Sequence, residues 1–206
     1  RASLEQGLRE ALGRDEFVLE FQPALDVASG QILGAEALLR WRHPQLGLLP
    51  PERFIAVAEE CGLMVSIGNW VLQQACRRAR GWHDAGHAWR VAVNLSPAQC
   101  LHNNLLLSVQ DALAASGLPA ASLELEVTES LLMKGGARLA GVLAQLRALG
   151  ARLAIDDFGT GYSRLANLRH YPVDKLKIDP SFLPAVADDA AGESDTMLAA
   201  TIIAMA

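Results

Sequence analysis

Along this chain, short apolar runs of strand length alternate with longer stretches whose apolar positions recur at helical spacing. The strand-like runs are Phe17–Leu25, Ile32–Trp41, Arg90–Leu95, Leu123–Val127, Arg152–Ile155 and Lys175–Ile178. Several are apolar through both faces, as a strand buried between two layers requires. The helical stretches are Leu4–Leu12, Pro51–Glu60, Leu63–Trp82, Pro97–Ser116, Gly136–Leu149 and Ser163–His170. A loose, acidic, small-residue loop over Ala187–Thr196 precedes a last apolar helix at Thr196–Ala206. Pro51 and Pro97 stand at first helical positions, and Gly117 and Gly150 stand where helices stop. The first two strands are expected to pair as a hairpin around Ser29-Gly30, whereas a helix-sized segment separates each later strand from the next.

This order is that of an α/β chain with a parallel sheet, and the expected architecture is a TIM-like (β/α) barrel with an antiparallel first strand. Such barrels take about eight strands and ~250 residues. Only six strands are legible over these 206 residues. The expectation is therefore that the C-terminal strands are missing from this chain and follow Ala206 in a longer parent, because an unclosed barrel would expose parallel edges.

Composition narrows the chemistry. About half of the residues are hydrophobic, enough for one well-cored domain, and the net charge of -5 provides no broad basic face for DNA or RNA. Any phosphate must be held by metal ions and individual cations. Cys61, Cys76 and Cys100 lie far apart without a CxxC pair, which reads as reduced packing residues and an expected cytoplasmic location. That location includes the cytoplasmic part of a membrane-anchored parent. No apolar run approaches the ~20 residues that span a bilayer, so no membrane contact by this domain is expected.

In a parallel barrel the C-terminal ends of the strands build the active site. Glu36 interrupts the apolar run Ile32–Leu39, where a lone carboxylate would be costly unless it meets a cation. Asn94 closes Val91-Ala92-Val93, Glu124 and Glu126 alternate with Leu123, Leu125 and Val127, Asp156-Asp157 follow Leu153-Ala154-Ile155, and Lys177 divides Leu176 from Ile178. Each has an ordinary reading. Asn94 suits a helix cap. Asp156-Asp157 suit a surface turn, with Gly159 and Gly161 supplying the bends. Glu36 could pair with Arg40 or Arg42, and Lys177 could be a solvated lysine on a half-exposed strand. Their coincidence at successive strand ends favours a site, and hard oxygen donors suit Mg²⁺ or Mn²⁺.

Longer motifs sharpen this. EALLRW at Glu36–Trp41 is accompanied in order by FQP at Phe21–Pro23, PERFIAVAEECG at Pro51–Gly62 and VNLSP at Val93–Pro97. LEVTES at Leu125–Ser130, DDFGTGYS at Asp156–Ser163 and LKID at Leu176–Asp179 follow. The ordered set resembles the EAL-domain cyclic-di-GMP phosphodiesterase family over essentially the whole chain.

The resemblance implies roles residue by residue. Glu36, Asn94, Glu126 and Asp156 match ligands of a first divalent ion, and Asp157 with Asp156 matches the ligands of a second. Lys177 matches a lysine that holds the attacking water. Arg40, Gln22, Leu39 and Asp179 match substrate-binding positions, with Arg40 on a phosphate. Phe158–Ser163 corresponds to a mobile loop coupled to dimerisation. The implied reaction is two-metal hydrolysis of cyclic di-GMP to linear pGpG in bacterial second-messenger signalling, with Mg²⁺ or Mn²⁺ as cofactors. Implied partners are a second copy of the chain and an upstream sensor or GGDEF-type module, with residues 1–14 ending a linker helix and 15–206 forming the domain.

Two departures stand out. The family's EGVE-like strand and QGY-like segment, which bring a metal-supporting glutamate and a loop-positioning glutamate, are not in the sequence, and Pro180 follows LKID where a basic or polar residue is usual. A catalytically inactive cyclic-di-GMP receptor is therefore the alternative. An unrelated barrel enzyme using Mg²⁺ on a sugar phosphate or enolate would explain the carboxylates but not the ordered motifs.

Overall fold

Seven strands form one sheet in a computed structural model that describes residues 2–159, 171–179 and 181. The strands are β1 (Phe17–Leu25), β2 (Ile32–His43), β3 (Gly47–Leu49), β4 (Arg90–Asn94), β5 (Leu123–Thr128), β6 (Arg152–Phe158) and β7 (Lys175–Ile178). Their order is β1-β2-β4-β5-β6-β7, with β3 on β2 as a short antiparallel addition. β1 runs antiparallel to β2, and from β2 onward the neighbours β4, β5, β6 and β7 are parallel. Among the described residues β1 and β7 are not bonded to each other, so the sheet is an open arc.

The hairpin joining β1 to β2 turns where Asp26 Oδ1 accepts from the backbone N–H and hydroxyl of Ser29, and Gly30 takes a positive φ of 68°. Gly34 then admits β4. A Cβ there would stand 2.3 Å from the Arg90 carbonyl oxygen, so a side chain would push the first parallel pair apart.

The described α-helices are α1 (Ala2–Ala11), α2 (Ile55–Glu60), α3 (Met64–Asp84), α4 (Pro97–Leu101), α5 (Leu105–Ser116) and α6 (Glu129–Ala148). The outward residues of the strands, among them Ala37, Trp41, Val91, Val93, Leu123, Leu125, Val127, Leu153 and Ile155, are buried in one core with residues of these helices. Removing each valine, leucine or isoleucine side chain among them from water contributes roughly 1.5–3 kcal/mol. Leu8 and Ala11 of α1 belong to the same core.

The observed elements differ from the sequence expectations in ways that follow from local chemistry. Pro97–Ser116 is two helices, because His102 is extended and Asn104 lies outside helical geometry. The helix expected from Gly136 starts at Glu129, capped by the Thr128 hydroxyl, and runs across a kink where Gly136 has φ 57°. The 3₁₀ turn Pro51–Arg53 precedes α2 and replaces the first part of the expected helix Pro51–Glu60. β6 continues to Phe158, so Asp156 and Asp157 lie within a strand and not in a turn after it. The expected helices Ser163–His170 and Thr196–Ala206, the loop Ala187–Thr196, Gly161 and Pro180 lie outside the described residues.

Candidate active site at the strand ends

Alternation along the strands separates two chemistries. With a side-chain period of two, β5 sends Leu123, Leu125 and Val127 toward the helices and Glu124 and Glu126 to the inner face. Register then assembles the inner face from separate strands. Glu36 lies opposite Gln22 of β1 and Ala92 of β4, Asn94 lies opposite Glu126, and Thr128 lies opposite Asp156.

Lys177 is the hub. Its Nζ is 2.8 Å from Glu36 Oε2, 2.6 Å from Glu126 Oε2 and 3.1 Å from Asp156 Oδ1. The other oxygen of Glu36 accepts from the Asn94 amide at 2.7 Å. Glu36, Glu126 and Asp156 can each turn one carboxylate oxygen to within 4.8 Å of the others. Burial opposes the Lys177 charge, but the hydrogen bonds to Glu126 and Glu36 outweigh it and raise its pKa, so it is an ammonium. Glu126 is nearly inaccessible, and burial, reinforced by the charges of Glu36 and Asp156, lifts its pKa to about 7 against the pull of Lys177.

The donor set fits a divalent ion. With all three carboxylates ionised, the charge is three negatives against the single positive of Lys177, a net -2. Oxygen donors around such an excess suit a hard cation. Asp157 adjoins the set in a left-handed conformation, φ 54°, which costs a non-glycine residue of order 1 kcal/mol or more and is typical of functional sites. Partial burial, then the nearby charges of Asp156 and Asp179, raise its pKa.

These contacts displace the ordinary readings. Asn94 is not a helix cap, because Ser96 caps α4 in a reciprocal pair with Gln99. Glu36 pairs with neither Arg40 nor Arg42; Arg40 instead binds Glu20 at 2.8 Å. Asp156 is not a turn residue and Lys177 is not a solvated lysine. Leu39 is the exception among the expected site residues. Its side chain is buried on the helix-facing side, opposite to Glu36 and Arg40, and lines a 270 Å³ apolar cavity with Leu38, Ile55 and Asn94. Asp179 accepts from the Ser181 N–H at 2.7 Å, and hydrogen bonds from the Ser181 side chain and then its backbone lower the Asp179 pKa.

Glu129 carries no role in the sequence reading, yet the structure gives it one. Its carboxylate, almost wholly buried at the start of α6, accepts from the Gly159 N–H at 2.7 Å. It thereby holds the backbone at Gly159, two residues after Asp157, so a glutamate bonded at this point is present within the chain. The available signal was its spacing, three residues after Glu126 and next to a capping threonine.

The comparisons agree with this geometry. The family model for the EAL domain matches residues 5–206. The chain belongs to the EAL domain family. This EAL domain is 46% identical over 199 residues to the bifunctional diguanylate cyclase/cyclic di-GMP phosphodiesterase MucR of Pseudomonas aeruginosa, covering 96% of this chain and 29% of that protein. It is 48% identical over 204 residues to the cyclic di-GMP phosphodiesterase NbdA of the same organism, covering 98% of this chain and 26% of that protein. It thus spans under a third of the length of these curated relatives. The solved PaMucR phosphodiesterase in complex with c-di-GMP overlays with a TM-score of 0.91 at 45% identity, covering 98% of this chain and 81% of that one. The open arc of this EAL domain is accordingly part of a TIM-like barrel. Among the described residues no helix is long and apolar enough to cross a membrane.

Proposed function

We propose that this EAL domain hydrolyses cyclic di-GMP to linear pGpG with the help of divalent cations. The observation that carries the reading is the Lys177 ammonium set among Glu36, Glu126 and Asp156, with Asn94 behind Glu36. It is supported by relatives named for cyclic-di-GMP phosphodiesterase activity at 46% and 48% identity.

Glu36, Asn94, Glu126 and Asp156 would hold a first Mg²⁺ or Mn²⁺, and Asp157 with Asp156 a second. When bound, such ions supply neutralisation of the phosphodiester charge and acidification of water. The chain's own groups do the rest. Lys177 has three N–H donors, each facing a carboxylate, and one exchanged from its carboxylate partner is suited to orienting a water and to stabilising charge that develops on phosphate oxygen. Water oxygen bonds to phosphorus as it gives up one proton, one P–O3′ bond breaks, and the departing 3′ oxygen takes up a proton, so the net change is the addition of one water. Arg40, half-buried and four residues beyond Glu36 on the same strand, suits a phosphate oxygen once its contact with Glu20 is exchanged. Gln22, directly across from Glu36, suits the nucleotide's polar edge, and the apolar cavity walled by Leu38 and Leu39 suits a base. Asp179 lies beside Asp157 and suits a substrate or water contact there.

In the parent protein the same reading has a cytoplasmic domain working as a homodimer, with residues 1–14 ending a linker from an upstream sensor or GGDEF-type module. The greater length of the relatives supports the presence of further domains.

The test compares wild type with Glu36→Ala in Mn²⁺, following pGpG by chromatography and binding by calorimetry. Product from wild type alone supports hydrolysis. Tight binding of cyclic di-GMP without product from wild type replaces the enzyme with a receptor.

A further inference from the structure

The inner face carries a second charged rung directly beneath the first. Lys175 Nζ is 2.7 Å from Glu124 Oε1, and the Glu124 side chain is only 6% exposed. Glu124 precedes Glu126 by two residues on β5, and Lys175 precedes Lys177 by two on β7, so the two rungs repeat along the same pair of strands. Between them on β6 stands Ala154, in register with both Glu126 and Lys175, and its methyl group leaves the space across which both lysines reach.

The arrangement creates a competition. Successive same-face residues on a strand are about 6.7 Å apart, within the reach of a lysine's four-carbon stem, so the Lys175 ammonium has Glu126 as an alternative partner. Were it to move there, a second positive charge would join Lys177 against the same three carboxylates and make the upper cluster less attractive to a cation. A divalent cation would then compete with two ammonium groups.

We propose that Glu124 is a positioning residue that detains Lys175 on the lower rung and so keeps the upper carboxylates available to a divalent ion. The inference rests on the metal-site reading above but not on the identity of the substrate. In this role Glu124 acts through Lys175. Two opposite properties fit it to this role: it is buried, so its charge demands a partner, and the partner it holds is the cation closest in sequence to Lys177.

The experiment measures Mn²⁺ affinity by calorimetry on the full-length parent protein, with pGpG formation and thermal unfolding followed in parallel. Glu124→Gln is expected to weaken Mn²⁺ binding about tenfold, as loss of an outer partner of a metal site does. Lys175→Met in the same background is expected to restore affinity to within about twofold of wild type, because the competitor is gone. Equal affinities in wild type and Glu124→Gln overturn the proposal, as does a double variant as weak as the single one. If Glu124→Gln does not fold, the apolar pair Glu124→Leu with Lys175→Leu decides: retained Mn²⁺ binding supports the proposal, and lost binding assigns Glu124 a direct role and refutes it. Wild type that binds Mn²⁺ with the expected ranking of variants but makes no pGpG leaves this inference standing and removes the enzymatic reading. Wild type that makes pGpG without binding Mn²⁺ removes the inference together with the metal-site reading on which it rests.

Discussion

The two faces of the sheet are made by the same strands and obey opposite rules. Outward, Leu123, Leu125 and Val127 of β5 are fully buried against helices and contribute by filling space. Inward, Glu124 and Glu126 of that strand are also buried, yet each is held there by a lysine from β7. Burial alone therefore says nothing of role in this molecule. What separates the faces is whether a residue's environment could be replaced by any apolar group of the same shape.

Substitutions on either face sharpen that distinction, beginning with the inner cluster. Glu126→Gln keeps the shape and removes a charge, and pGpG formation should fall by more than about 100-fold, beyond the range seen for outer partners of metal ligands. Its unfolding midpoint should change little, because a neutral amide is cheaper to bury. Leu125→Ala on the outward face should do the reverse, lowering stability by about 3 kcal/mol in denaturant titration while activity per folded molecule holds. A drop in turnover of folded Leu125→Ala would show that the faces are coupled.

Glu129 sits where the faces meet, at the top of β5 and the start of α6. Glu129→Ala removes the acceptor for the Gly159 N–H and should reduce turnover about tenfold, the worth of one charge-assisted hydrogen bond, while Mn²⁺ affinity stays close to wild type. Gly68→Ala probes the helical layer behind Asn94. The added Cβ would stand 2.1 Å from the side chain of Gln99, which is buried and caps α4, and the expected loss is about 1–3 kcal/mol of stability.

The smallest effect concerns the thiols of the outward layer. Burial pushes Cys76 and Cys100 up to about 12, and partial desolvation with the charge of Glu5 raises Cys61. Raised values mean less thiolate, so at pH 8 iodoacetamide should modify Cys61 slowly and the other two only on unfolding, as read by mass spectrometry.

Much of this was legible in the residues themselves. Alternation in Leu123–Val127 showed two carboxylates on one face, and the motif DDFGTGYS set the aspartates beside a glycine-rich segment. Other features needed coordinates because they depend on pairing across the sheet. The Lys175–Glu124 contact links residues 51 positions apart, and nothing local distinguishes Lys175 from a solvated lysine. Glu129 looked like any first-turn acid stabilising a helix start, and only its approach to Gly159 separates it from one. The left-handed backbone at Asp157 is likewise invisible in composition, since aspartate favours turns and strained sites alike.

The central claim is that the carboxylates around Lys177 serve a divalent ion in cyclic-di-GMP hydrolysis. Its most direct test is pGpG formation by the full-length parent in Mn²⁺, in excess chelator, and after Mn²⁺ is restored. Product that disappears with chelation and returns with the metal is the expected result; product unaffected by chelation, or none under any of the three conditions, would contradict the account.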